Sequence, residues 1–196
     1  MTLELQPQKP YVSSGPRDQF RCFVIDPKFA ETKYLNGWHF VAGNAKVVHH
    51  VLLFTDEKRE SLAKVDADGG YDCPGGGIGL SQQRLIGAWA PGGVPNEYPA
   101  DVATHLPAGT VLVMQIHYHP NGMVNEPDST RLQLRFLPSL PAWKLDMALI
   151  GNFAKHDAAT GNGLQPTASD PNPKFVIPAG KKDVVIDQKF KLPAKK

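Results

Sequence analysis

At 196 residues, 41% hydrophobic and 20% charged, the chain can bury one sizeable core and is too apolar to be a disordered segment. A net charge of +2 with scattered basic residues leaves no nucleic-acid footprint, and no apolar run approaches the roughly 20 residues that cross a bilayer. The 18 glycines and 18 prolines cut the sequence into short segments, which favours strands and turns over long helices.

Residues 1–17 are polar and proline-bearing, with no signal-peptide apolar core, and read as an extended lead-in or linker. Phe20–Ile25 (FRCFVI) reads as the first strand, closed by Asp26-Pro27. Tyr34–Ala42 and Lys46–Thr55 are two further strand-like runs. The residues between them, Gly43-Asn44-Ala45, tolerate a tight turn and predict a hairpin. Asp56 to Gln82 is a long excursion: a short helix in EKRESLAKV, then a glycine-rich loop. Its GGGIG run lacks the Gly-Lys-Ser/Thr of a phosphate loop. Arg84–Ala90 is strand-like, and Val111–His119 and Thr130–Leu137 alternate as strands do. Beyond Pro138 the pattern weakens. Leu145–Ile150 reads as a strand, a polar loop follows, and FVIPAGKKDVVIDQKFKLP resumes strand character. Frequent short strands and turns predict an all-β protein, an antiparallel, jelly-roll-like β-sandwich.

Two of these strands carry the chemistry. VVHHVLLF is apolar on both faces around His49 and His50, and regular alternation sends the two imidazoles to opposite faces. At least one ring therefore sits among hydrophobic neighbours and needs a partner, for which a metal ion and a core hydrogen bond compete. In VLVMQIHYH, residues Gln115, His117 and His119 share one face, while Met114 packs away from them. A site of three histidines on two strands suits Cu(II) or Zn(II), and imidazole alone does not choose between them. Both His49 and His50 reach one ion only if their strand twists or bulges, or if the ion sits at a sheet edge. His39, His105 and His156 lack such company and read as surface or hydrogen-bonded residues. Cys22 and Cys73 make one disulfide or two buried thiols. There is no nucleophile elbow and no evident carboxylate pair.

In order, RCFVIDP, VVHHVLLF, a cysteine-bearing loop, AWAPGGVPNEYP, LPAGT and MQIHYH resemble the first catalytic domain of the copper type II, ascorbate-dependent monooxygenases. That family includes peptidylglycine α-hydroxylating and dopamine β-monooxygenases, and the wording here resembles a bacterial branch. The resemblance spans about Asp18 to Phe136. It implies two jelly-roll-like domains, each holding one copper, with residues 18–140 as the core of the first and 141–173 its remainder. Residues 174–196 then resemble the opening of a second domain that breaks off before its His-x-His pair and methionine. Met114 and Met123 match nothing in that motif. His49, His50 and His117 match the three ligands of the electron-transfer copper, with His119 as an auxiliary candidate. Cys22 and Cys73 fall where the family has a disulfide, which implies a periplasmic or secreted protein. The implied role is to take an electron from ascorbate or another donor and pass it to a hydroxylating copper on the second domain. The alternative is a stand-alone copper-binding or redox-carrier domain.

Overall fold

The computed structural model describes residues 2–13, 16–75, 77–119, 126–151, 158, 160–185 and 189–192. His156 and Met123 lie outside them. The chain forms two compact units, Met1–Met147 and Ala148–Lys196.

The first unit is an all-β, antiparallel sandwich. Its strands are β1 (Thr2–Leu5), β2 (Tyr11–Ser13), β3 (Gln19–Ile25), β4 (Lys33–Val41), β5 (Val48–Asp56) and β6 (Gly70–Asp72). After them come β7 (Arg84–Trp89), β8 (Asn96–Glu97), β9 (Val102–Leu106), β10 (Val111–Tyr118), β11 (Glu126–Asp128), β12 (Arg131–Leu137) and β13 (Trp143–Lys144). One sheet has the order β1-β12-β4-β9-β13, with β8 also on β4; the other has β6-β3-β10-β5-β7. A two-stranded ribbon, β2 with β11, completes the set. The pairing of β13 with β9 is parallel. Successive strands β3, β4 and β5, and later β9, β10 and β12, alternate between the two sheets, as in a jelly roll.

Strand alternation builds the core. In β12, Leu132, Leu134 and Phe136 are buried while Arg131, Gln133 and Arg135 point outward. They meet Phe23, Leu53, Leu112, Met114 and Ile116 of the facing sheet. Each such side chain contributes about 1.5–3 kcal/mol by leaving water. Every residue of β10 is buried, because the outer face of its sheet is covered as well. There Cys22, Phe54, Tyr71, Cys73, Ile78, Leu85 and Val113 form a second, smaller core. The excursion after β5 supplies the cover. It opens with a 3-10 helix, Glu60–Ala63, shorter than the expected helical turn of EKRESLAKV. It is tied down by the Cys22–Cys73 disulfide. The double burial accounts for the apolar character of VVHHVLLF on both faces.

The predicted hairpin is not formed. β4 and β5 lie in different sheets, because the edges of β4 are taken by β12, β9 and β8, and those of β5 by β10 and β7. Gly43-Asn44-Ala45 is instead a corner that crosses between the sheets. The Asn44 amide donates to Asp128, whose carboxylate also accepts from Tyr118 and Thr130. A Cβ on Gly43 would stand 2.5 Å from the nitrogen of Ser129, a backbone atom that cannot swing aside as the end of a side chain can. Gly43→Ala is therefore expected to destabilise the unit by about 1–3 kcal/mol in chemical denaturation, as overpacking does.

Three other expectations change. Residues 2–13 are not a free lead-in, since β1 pairs with β12 and β2 with β11. Leu145–Ile150 and the described part of the tail form no strand. Phe175, Val176, Ile177 and Val185 are exposed there, and strand-like residues that neither pair nor pack do not make a stable strand. In the second unit, Asn162 ties the chain locally through Leu149 and Gly151.

Asp26 anchors the turn after β3. Burial pushes its carboxyl pKa up, but hydrogen bonds from Lys28 and Arg59 outweigh this and bring it down to about 2. Arg59 also donates to the Gly109 carbonyl, so the ion pair joins two loops. A depressed carboxylate stabilises the fold above its ordinary value near 3.8, and that stability disappears as pH falls toward 2. Asp26→Asn should flatten the decline in thermal stability across this window, measured by circular dichroism.

Candidate metal centre

The centre lies at the end of β10 on the outer face of the five-stranded sheet. Register places His117 opposite His50 on β5 and opposite Phe20 on β3. The next pair on the β5 side is Tyr118 with Val48, so His49 is an extra residue in a β-bulge. Val48 and Val51 both point into the main core, and the two residues between them share the outer face. Regular alternation would have separated His49 from His50; the bulge brings them together.

The rings converge through one kind of atom. The Nδ1 of His50 lies 3.2 Å from Nδ1 of His49 and 3.3 Å from Nδ1 of His117. All three ligand nitrogens fall within 4.8 Å of one another. A tetrahedral ion with metal–nitrogen bonds of about 2.0–2.1 Å has ligand edges of about 3.3 Å, so two of the contacts match coordination edges. His117 is buried, His50 half-buried and His49 exposed. The group could therefore hold a metal ion, with one side open to solvent.

Protonation supports the fit. The Nε2–H of His117 donates to Oδ2 of Asp18 at 2.9 Å, which leaves its Nδ1 as a lone pair facing His50. His50 Nδ1 either donates one proton or offers one lone pair, so it cannot make a matched hydrogen bond with both neighbours, and one of the two contacts is left without a donor–acceptor pair. A cation at the centre of the three would accept a lone pair from each. Burial, and then the neighbouring His117 and His49, hold the His50 pKa below the usual histidine value, which favours the neutral, ligating form.

The surroundings orient the rings. Phe20 stacks on His117 with centroids 4.3 Å apart and planes inclined by 12°. Asp18 also accepts from Nδ1 of His119 at 2.7 Å, and these two hydrogen bonds pull its pKa below the ordinary aspartate value. His119 is thus on the same face as His117, as alternation requires, but it is exposed and directed to Asp18 rather than into the cluster. Met114 is fully buried in the main core, and both cysteines are in the disulfide. Neither the two cysteines nor Met114, then, joins the three imidazoles.

The other histidines stand apart. His39 is half-buried on the outer face of the six-stranded sheet, beside a cleft of about 210 Å³ lined also by Trp38, Glu97, Gln133 and Arg135. His105 packs edge-on against Tyr34. Both are half-buried, each with one buried ring nitrogen that has no partner among the described residues, where surface or hydrogen-bonded residues were expected. Sequence reasoning passed over Asp18 and Phe20 as parts of the site. Their one signal is position at the start of the first strand, and it acquires meaning only once that strand is paired against His117.

Comparison of the chain with protein-family models and with curated proteins finds no match. Fold and site together define an all-β sandwich that carries a three-histidine candidate metal centre. The disulfide points to an oxidising compartment, and no helix among the described residues is long and apolar enough to cross a membrane.

Proposed function

We propose that His49, His50 and His117 bind one copper ion, and that the chain is the electron-supplying part of a copper- and ascorbate-dependent monooxygenase. The observation that carries this reading is the bulge at His49, which turns three imidazole nitrogens toward one point. The resemblance of the strand motifs to that family favours copper over zinc. Divalent copper also stands above zinc in affinity for a given nitrogen site. In this reading the oxygen-activating copper belongs to a second domain, and the protein works in the periplasm or outside the cell.

When bound, copper supplies one-electron storage and delivery by cycling between Cu(II) and Cu(I). The chain's own residues do the rest. His50 and His117 present their nitrogens from paired strands of one sheet, which holds the ligand geometry in place as the charge at the centre changes. Phe20 and the second core exclude water from the inner side of the site. The exposed His49 leaves the outer side open to a small reductant such as ascorbate.

A Cu(II) titration followed by EPR tests the proposal. The expected result is one type II copper per chain, whose signal is lost on anaerobic addition of ascorbate and restored by an oxidant. Substoichiometric copper, or a bound copper that ascorbate does not reduce, would sink the electron-transfer reading.

A further inference from the structure

We infer that Asp18 is the positioning residue of this centre, holding His117 as a ligand through Nδ1 while keeping His119 away from the metal. The inference rests on the metal-site reading above and deepens it.

Asp18 spends one oxygen on each histidine: Oδ2 accepts from His117 Nε2 at 2.9 Å and Oδ1 accepts from His119 Nδ1 at 2.7 Å. The first contact selects a tautomer. With the proton on Nε2, His117 has only Nδ1 to offer a cation, and Nδ1 already faces His50. The second contact selects between ligands. His117 and His119 share a face two residues apart, and both rings lie near His49, with centroids 4.8 Å and 6.1 Å away. An unrestrained, exposed His119 could swing toward an ion bound there. Its attachment to Asp18 directs Nδ1 elsewhere, while burial and stacking on Phe20 keep His117 in place.

Asp18 can act this way because of where it stands. It immediately precedes β3, whose register sets Phe20 against His117 and Gln19 against Tyr118. Continued by one residue, that antiparallel register leads to Asp18 beside His119. Its side chain is 46% exposed, so the carboxylate is not a packing element of either core. A carboxylate that accepts the outer N–H of a ligating histidine is worth about 10–100-fold in metal affinity.

The test uses Cu(II) alone as the probe, on wild type, Asp18→Ala, Asp18→Asn and His119→Ala. Affinity is measured by chelator competition, the ligand field by EPR, and the metal-free fold by thermal melting. Asp18→Ala should weaken copper about 10–100-fold and alter the EPR spectrum, with the metal-free melting temperature unchanged. Asp18→Asn should recover much of the affinity, because its amide oxygen still accepts the Nε2–H. His119→Ala, with Asp18 intact, should leave affinity and spectrum as in wild type. An unaltered spectrum and affinity in Asp18→Ala, or a changed spectrum in His119→Ala, would overturn the inference. So would an Asp18→Asn variant no better than Asp18→Ala. A wild-type chain that binds no copper overturns the metal reading itself, which keeps the two failures distinct.

Discussion

Replacing His117 with alanine is expected to weaken Cu(II) binding by more than about 100-fold, beyond the roughly 10–100-fold that loss of an outer partner costs. His117 is the buried member of the cluster and the one whose tautomer and ring plane are both held, by Asp18 and Phe20. Its loss removes a preorganised nitrogen that neither His49 nor His50 can replace. His50→Ala should approach the same effect, because His50 stands between the other two rings. His49→Ala should cost less, since an exposed ligand gives up more freedom when it is fixed on the ion. The experiment is a competition titration on the three variants, with far-UV circular dichroism of the metal-free proteins as the control for folding. Equal affinity in all of them would move the metal elsewhere and dissolve the site.

Removing both cysteines, Cys22→Ala with Cys73→Ala, is expected to lower the unfolding free energy by about 4 kcal/mol, the chain-entropy value for a bridge of this span. The bridge spans 51 residues and closes the loop that covers the outer face of the five-stranded sheet. That loop has other ties: Tyr71 donates to the Ile78 carbonyl, Gln115 donates to the Pro74 carbonyl, and Arg21 pairs with Asp66 and Asp72. Urea unfolding under oxidising conditions measures the loss. A decrease below about 1 kcal/mol, the net worth of a single hydrogen bond, would mean that these contacts carry the loop without the bridge. Copper affinity should fall less than in His117→Ala, because Phe20 and β10 keep their pairing within the sheet.

Much of the sandwich is legible in local patterns. The alternation of TRLQLRFL and VLVMQIHYH identifies β12 and β10 and assigns their faces, because a strand's side chains alternate with period two whatever it pairs with. The same rule correctly set Met114 in the core and placed His117 and His119 on one face. The failures come where partners matter. Gly43-Asn44-Ala45 has turn chemistry, but turn chemistry does not distinguish a hairpin from a corner between sheets. That choice was made by β12 and β10, which occupy the edges the hairpin would have needed. The tail has strand-like residues, but strand character alone makes no strand without a paired partner, and the described residues there form none.

By itself, the sequence determined the all-β class, the strands that bear His49, His50 and His117, and the two cysteines available for a bridge. These follow from composition and periodicity, which act over a few residues. Only the tertiary structure decided that His49 and His50 share a face, that His117 lies opposite them, and that Asp18 takes His119 aside. A bulge is a mismatch in count between two paired strands, so it does not exist until β5 meets β10. The three histidines were therefore readable as candidates, while their convergence, and the part that Asp18 and Phe20 take in it, was set by register between segments distant along the chain.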